Sequence, residues 1–245
     1  VLKKVCVIFV DSEHSRFVHT LAVPFATYVV SPRSFKKDFG SKHIRYNGFK
    51  ELAYLHPRYF KPNIEILKIL GLRKKEKFFV VRFVAWKASH DIGYAGLKRK
   101  FKLRLIKTLG NYGRVFVTSE EQQHYFPKSY LNVPPEKVHD LMYFATMYVG
   151  EGGTMSSEAG ILGTPSIHIN PLAKFCGVHK ELQNKYKLKL IFYDMRDPDG
   201  VLNKIVNLLE TTNLKRIWRK RRSRMLKEKI DVTNWMVNFI ENVKR

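Results

Sequence analysis

Between residues 147 and 165 the chain reads MYVGEGGTMSSEAGILGTP. An apolar run, a glycine-rich turn and a helix-forming stretch follow one another there. Gly152 and Gly153 carry no side chain, so a ligand can approach their backbone closely. The free amides of a helix start, added to the helix dipole, make a site for a diphosphate. Thr154 has the residue type of an N-cap, and Gly163-Thr164-Pro165 reads as the stop. Glu158 lies four residues beyond Thr154 and shares its helix face. A carboxylate there can accept hydrogen bonds from ribose hydroxyls while the amides hold phosphate. Met155 and Ser157, in the same segment, complete the candidate phosphate-binding set. A second reading stays open: the glycine pair makes a plain strand-to-helix turn, and Thr154 and Glu158 are ordinary helix-start residues. The G-x-G-x-x-G fingerprint and the Walker lysine are both absent from this segment.

In VVRFVAWKASHDIG (80–93) a strand delivers Trp86, Ser89, His90 and Asp91 to a loop at its carboxyl end, the edge where parallel sheets bind ligands. His90 can serve as a general base or donate to a phosphate, with Asp91 orienting it and Ser89 beside the donor. A polar turn with His90 exposed is the alternative. Arg82 interrupts the apolar strand and needs a partner, either a phosphate or a structural carboxylate. Thr118, Ser119 and Glu120 close the next strand, where they line a base pocket or cap a helix. No His, Cys, Asp or Glu cluster has metal-ligand spacing, so no metal is expected.

These positions need a scaffold. Apolar β-branched runs alternate with amphipathic stretches, the pattern of βα units around a parallel sheet. Strands are expected at 5–10, 27–30, 77–83, 114–118, 147–149, 166–169 and 188–192. Helices are expected at 64–70, 97–109, 154–162, 198–209, 214–229 and 232–243. A domain boundary is expected near Asn47-Gly48, ahead of a Pro-punctuated stretch. Residues 1–47 then read as the end of an N-terminal Rossmann-like domain, 48–230 as a nucleotide-sugar-binding Rossmann-like domain, and 231–245 as a helix packing back toward the N-terminal part. The chain opens with Val and enters a strand almost at once, as expected of a piece of a longer protein.

The 245 residues are 44% hydrophobic, enough for a sizeable core, and carry a net charge of +24. That charge calls for an anionic partner: nucleic acid, acidic lipid or a phosphorylated substrate. Two cationic clusters, Lys98 to Lys107 and Lys215 to Lys229, fall on expected helices. Their apolar stripes read as Leu97, Leu103 and Ile106, and as Leu214, Ile217, Trp218 and Leu226. The cationic faces fit either solvent or an anionic membrane surface. Two cysteines without partner spacing fit a reducing cytoplasm. No apolar run reaches the roughly 20 residues of a membrane helix.

The run DLMYFATMYVGEGGTMSSEAGILGTPSI resembles the C-terminal domain of GT-B glycosyltransferases and of non-hydrolysing UDP-N-acetylglucosamine 2-epimerases. More closely, it resembles a family of glycosyltransferase-like proteins carrying GGTM-x-x-EA-x-x-LGTP. That family is echoed again in YNGFKELAYLHPRYFKP, VVRFVAWKASHDIG and VTSE, in this order. The resemblance implies an α/β, GT-B-like fold: a doubly wound parallel sheet preceded by the end of an incomplete N-terminal domain. It implies that Gly152, Gly153 and Thr154 hold a donor diphosphate and Glu158 its ribose. The resembling epimerases place a functional histidine in a loop comparable to that of His90. They also place a glutamate near Glu13, which makes Glu13 a candidate acid or base; a helix-capping acidic cluster is the other reading of Asp11-Ser12-Glu13-His14. The activity implied is transfer of a sugar from a nucleotide donor, a UDP-sugar by preference, without metal or other cofactor. The acceptor is unknown; a lipid-linked or polysaccharide acceptor of the cell envelope fits, met at the inner face of the membrane. Sugar-nucleotide epimerisation is the alternative enzyme reading. A basic nucleic-acid-binding or non-catalytic protein is the alternative outside enzymes, although no groove-reading or base-stacking motif is present.

Overall fold

The computed structural model describes residues 4–86, 94–119 and 133–243. Two parallel sheets organise the chain. The first has three strands in the order β1 (Val7–Phe9), β2 (Tyr28–Pro32), β3 (His43–Tyr46). The second has five: β4 (Phe78–Phe83), β5 (Arg114–Ser119), β6 (Met147–Gly150), β7 (Ser166–Ile169) and β8 (Lys189–Phe192). Their order is β5-β4-β6-β7-β8.

Sequence explains the second sheet directly. Helices cover both faces, so its central strands are apolar nearly throughout, and β4 buries every residue but Arg82. The helices are α1 (Arg16–Leu21), α2 (Leu52–Leu55), α3 (Glu65–Ile69), α4 (Arg99–Gly110) and α5 (Val138–Phe144), then α6 (Gly153–Ile161) and α7 (Gly177–Asn184). The chain ends with α8 (Pro198–Leu209), α9 (Leu214–Glu228) and α10 (Val232–Asn242). From β4 the chain winds outward to β5 and then returns to β6 on the other side of β4. The switch point between β4 and β6 is where such sheets open a crevice at their carboxyl ends. The glycine turn after β6 lies there.

Two joints tie the sheets together. Glu13 Oε1 accepts from the backbone amides of Lys36 (3.0 Å) and Gly177 (2.8 Å), linking the loop after β1 to the start of α7. Gly177 must be glycine: a Cβ there would stand 1.7 Å from the Ser34 carbonyl oxygen. At the far end, Asp231 caps α10 by accepting from Asn234 N, and the Trp235 ring stacks on Tyr46 of β3. Phe239 meets Tyr28 of β2 edge-on.

Several expectations need correction. The strand β3 was not among those placed by pattern, because His43-Ile-Arg-Tyr has charged or polar neighbours on both sides of its apolar residue. The apolar stripe of α4 is Phe101, Leu105 and Leu109, whereas Leu103 is exposed. Lys102, expected on the cationic face, is buried over the Phe83 ring. On α9 much of the positive charge faces inward. Lys215, Arg221 and Arg222 donate to backbone carbonyls of Tyr143, Lys187 and Ile161, and the adjoining Lys229 pairs with Glu181. Arg216, Arg219, Lys220 and Lys227 remain exposed. No helix among the described residues is long and apolar enough to cross a membrane.

Candidate functional site

Thr154 is not the N-cap of α6. Gly152 occupies that place in an extended conformation without a side-chain cap, Gly153 is the first helical residue, and Thr154 follows it, exposed. A glycine cap leaves the first-turn amides without the side-chain acceptor that Ser or Thr would supply, so they stay available to a ligand. Glu151 shapes the turn below them. Its buried carboxylate accepts from the amides of Leu97 (2.7 Å) and Val84 (3.3 Å) and from the Trp86 indole (2.9 Å). Burial raises its pKa against these donors. Trp86 is held in a left-handed backbone conformation (φ 55°), a strained state for a bulky residue. The Glu151 carbonyl in turn accepts from Asn170 Nδ2 (2.9 Å) and His168 Nε2 (3.1 Å) at the end of β7.

A cleft of about 240 Å³ opens at Gly153 and Thr154. Its opposite wall is the carboxyl edge of the first sheet, Asp11, Ser12, His14 and Ser15, and Lys50 and Glu51 ahead of α2 also line it. Lys50 pairs with Asp11 at 2.5 Å. Burial is the largest influence and opposes the Lys50 charge, but Asp11, Glu51 and Cys176 together overcome it and the pKa rises. Glu51 is buried, and its Oε2 has no hydrogen-bond partner. Burial pushes its pKa up to about 7, against the pull of Lys50.

Under the first turn of α6 lies a polar cluster invisible to motif reading. Lys189, the first residue of β8, is buried and donates to His179 Nδ1 (3.0 Å), Ser157 Oγ (3.2 Å) and the Gly153 carbonyl (3.4 Å). Burial brings its pKa down to about 7. His179, from α7, lines the cleft; its Nε2 is 3.0 Å from where a Cβ on Gly153 would stand. Its ring meets that of His168 edge-on at 5.0 Å. Burial, and after it the Lys189 charge, holds both imidazoles well below their ordinary pKa.

The structure thus brings Gly152, Gly153, Thr154 and Ser157 to one place and adds His179, Lys189, Asn170 and Glu51, which the sequence reading passed over. Arg82 lies beside them, its Cγ 3.5 Å from the Cβ position of Gly152. Met155 is partly buried against the core. Glu158 points to another flank of α6, where its Oε1 accepts from Tyr54 (2.9 Å) and His139 (3.1 Å). Ser119 ends β5 at the same sheet edge. Glu13 is the joint described above, and its Oε2 lacks a partner. Ser89, His90 and Asp91, with Glu120, lie outside the described residues. Two further cavities flank the cleft. One of about 650 Å³ shares His14, Ser15 and Leu172 with it, and one of about 420 Å³ is lined by Trp86, Phe101 and Phe192. Among the described residues no group of three His, Cys, Asp or Glu could hold a metal.

Known proteins sharpen the picture. A relative from Methanocaldococcus jannaschii, the uncharacterized protein MJ0665, is 29% identical over 225 residues, covering 85% of this chain and 65% of its own length. The wall teichoic acid polymerase TagF (H548A) superposes with a TM-score of 0.51 at 14% identity, over 89% of this chain and 58% of that one. The spinosyn rhamnosyltransferase SpnG, solved with spinosyn aglycone, gives 0.52 at 12% identity, over 89% and 57%. The chain therefore spans just under two thirds of the curated relative and less of the solved structures. At these identities the structural likeness is one of fold, an α/β architecture with parallel sheets like that of the GT-B glycosyltransferases. A family model matches residues 2–245, and the chain belongs to that family, the protein of unknown function DUF354.

Proposed function

We propose that this chain holds the diphosphate of a nucleotide-sugar on the first turn of α6 and takes part in transferring the sugar to an acceptor. One observation carries the reading. A helix start capped by Gly152, with no side-chain acceptor on its amides, opens at the switch point of a parallel sheet into a cleft walled by a second sheet. In this reading the amides and dipole of α6 neutralise the charge that develops on the leaving diphosphate. Glu51, a carboxyl facing the cleft and titrating near neutrality, accepts the proton of the attacking hydroxyl. The acceptor enters through the adjoining cavity of about 650 Å³. Arg16, Lys36 and Lys37 line that cavity beside Phe17 and Phe175, which suits an anionic, partly apolar acceptor such as a lipid-linked one. UDP is the nucleotide tried first, on the strength of the glycosyltransferase-like motifs.

Calorimetric titration of UDP into the chain tests this, beside Gly153→Val. A side chain at 153 meets His179 and covers the amides. We expect saturable binding that the variant weakens at least about a hundredfold, or roughly 2.7 kcal/mol. Equal binding by the variant, or none by the folded wild type, overturns the reading. Interconversion of UDP-sugars without any acceptor would instead mark an epimerase.

A further inference from the structure

Lys189 is a buried cation in an unfavourable place. Its three neighbours, His179 Nδ1, Ser157 Oγ and the Gly153 carbonyl, are all neutral, and among the described residues no carboxylate is paired with it. It also lies beside the first turn of α6, the positive end of the helix dipole, where a further positive charge is disfavoured. Lys50, by contrast, has Asp11 as a direct counterpart. What Lys189 lacks is an anion in hydrogen-bond contact; Cys176 and Glu51 act on it only through space.

His179 connects Lys189 to the first turn of α6. When Lys189 is charged it can only donate to Nδ1, so a neutral His179 then carries its proton on Nε2, the atom beside Gly153. That N–H is therefore presented at the first turn. His168 carries its proton on the same atom: Nε2–H donates to the Glu151 carbonyl, and Nδ1 is buried without a partner. We propose that Lys189 and His179 form a phosphate subsite under Gly153, in which arrival of a dianionic phosphate loads a solvent proton onto Lys189 while His179 Nε2–H donates to the phosphate oxygen. The subsite rests on the donor-site reading above and specifies its chemistry: the ligand is the terminal phosphate of a nucleoside diphosphate, and its binding is coupled to proton uptake.

The electrostatics agree with the geometry. In the empty cleft Lys189 titrates at about 7, so near pH 8 it is mostly neutral. An anion held at His179 Nε2, across the imidazole ring from Lys189, raises that value, and the site binds up to about one proton. The terminal phosphate, with its second pKa near 6, is already dianionic there and contributes none. The groups facing the pair from neighbouring elements are Asp11 and His14 after β1, Lys50 and Glu51 before α2, His168 on β7 and Cys176 before α7. Glu51 also titrates near 7, so it must be separated from Lys189 by experiment.

The test titrates UDP near pH 8 in two buffers of different ionisation enthalpy, such as Tris and HEPES. The difference in observed heat gives the protons taken up. We expect about one per bound UDP for the wild type. Lys189→Met should abolish the uptake and weaken binding at least about tenfold. His179→Gln should weaken binding while lowering the uptake, and Glu51→Gln should keep it. Cooperative thermal melts establish that each variant is folded. UDP binding to the wild type without buffer-dependent heat overturns the subsite and leaves the donor-site reading standing. So does uptake that survives Lys189→Met or vanishes in Glu51→Gln. Absence of UDP binding to the folded wild type overturns both.

Discussion

Lys189 is a buried lysine and Lys215 a partly buried one, and desolvation brings each down to a pKa of about 7. Their surroundings differ in sign. Lys215, on α9, donates to the carbonyls of Tyr143 (2.6 Å) and Ala145 (2.5 Å) at the end of α5. A helix C-terminus presents unpaired carbonyls and the negative end of its dipole, so the fold itself satisfies that cation. Lys189 sits at a helix N-terminus among neutral partners. The same desolvation therefore describes a structural tie in one case and an unfinished ion pair in the other. A depressed lysine pKa is informative about function only when the polarity of the nearest helix end is known.

The comparison is broken most forcefully by removing each side chain. Lys215→Ala leaves two partly buried carbonyls without their donor and removes packed side-chain atoms; it should lower stability by about 2 kcal/mol and leave UDP affinity unchanged. Lys189→Met replaces an ill-placed charge with an apolar chain of similar length. It should raise the stability of the ligand-free protein at neutral pH by on the order of 2 kcal/mol while impairing UDP binding. Chemical denaturation and calorimetry on the same preparations check both. Lys189→Met destabilising the protein, or Lys215→Ala impairing UDP binding, would erase the distinction.

pH separates the two lysines from Glu51. Both lysines have folded pKa values near 7, depressed from 10.5, so the unfolded chain binds more protons between those values. Stability should then rise as pH increases from about 7, with the gain lost again as pH falls through 7. Glu51 behaves oppositely, since its folded value is raised from 4.5 to about 7. Its contribution is fully present below 4.5 and disappears as pH rises through 7. Thermal melts of the ligand-free chain between pH 7 and 9 should show about 2 kcal/mol of stabilisation per lysine. The Lys189→Met protein should show about half of the total, and saturating UDP should remove the Lys189 share.

The parts of this arrangement that were legible in the sequence are those with local causes. Strands buried on both faces wrote themselves as apolar runs, and β7 and α8 fall on the residues expected. The glycine turn announced its own strand-to-helix geometry, although residue preference pointed to Thr154 as the cap and the fold uses Gly152. The rest is long-range. Lys189 lies 36 residues from Gly153 and looked like the edge of a strand. His179 sits on α7, whose Gly-Val-His-Lys-Glu-Leu-Gln-Asn has too few apolar residues to declare a helix. Glu51 lay inside one of the motifs but showed no chemistry there, because only folding buries its carboxyl against the cleft.

Glu158 offers the finest contrast, against Glu51. Both are buried carboxylates, but Glu51 has an unpartnered oxygen, whereas Glu158 Oε1 already holds the Tyr54 hydroxyl and His139. If Glu158 also takes the ribose of the donor, it does so with the edge that Tyr54 and His139 leave free. Its affinity for a hydroxyl then comes from a carboxylate whose orientation is set beforehand, a favourable arrangement because little order is lost on binding. UDP should consequently bind about five times more tightly than 2′-deoxy-UDP, the worth of one hydrogen bond of about 1 kcal/mol. Glu158→Gln should reduce that preference. Tyr54→Phe should retain it, since His139 still anchors the carboxylate, at a cost of about 1 kcal/mol in stability. Equal affinity of the wild type for the two nucleotides would assign Glu158 to the packing of α2 and α5 on α6 and leave recognition of the donor to the phosphate end alone.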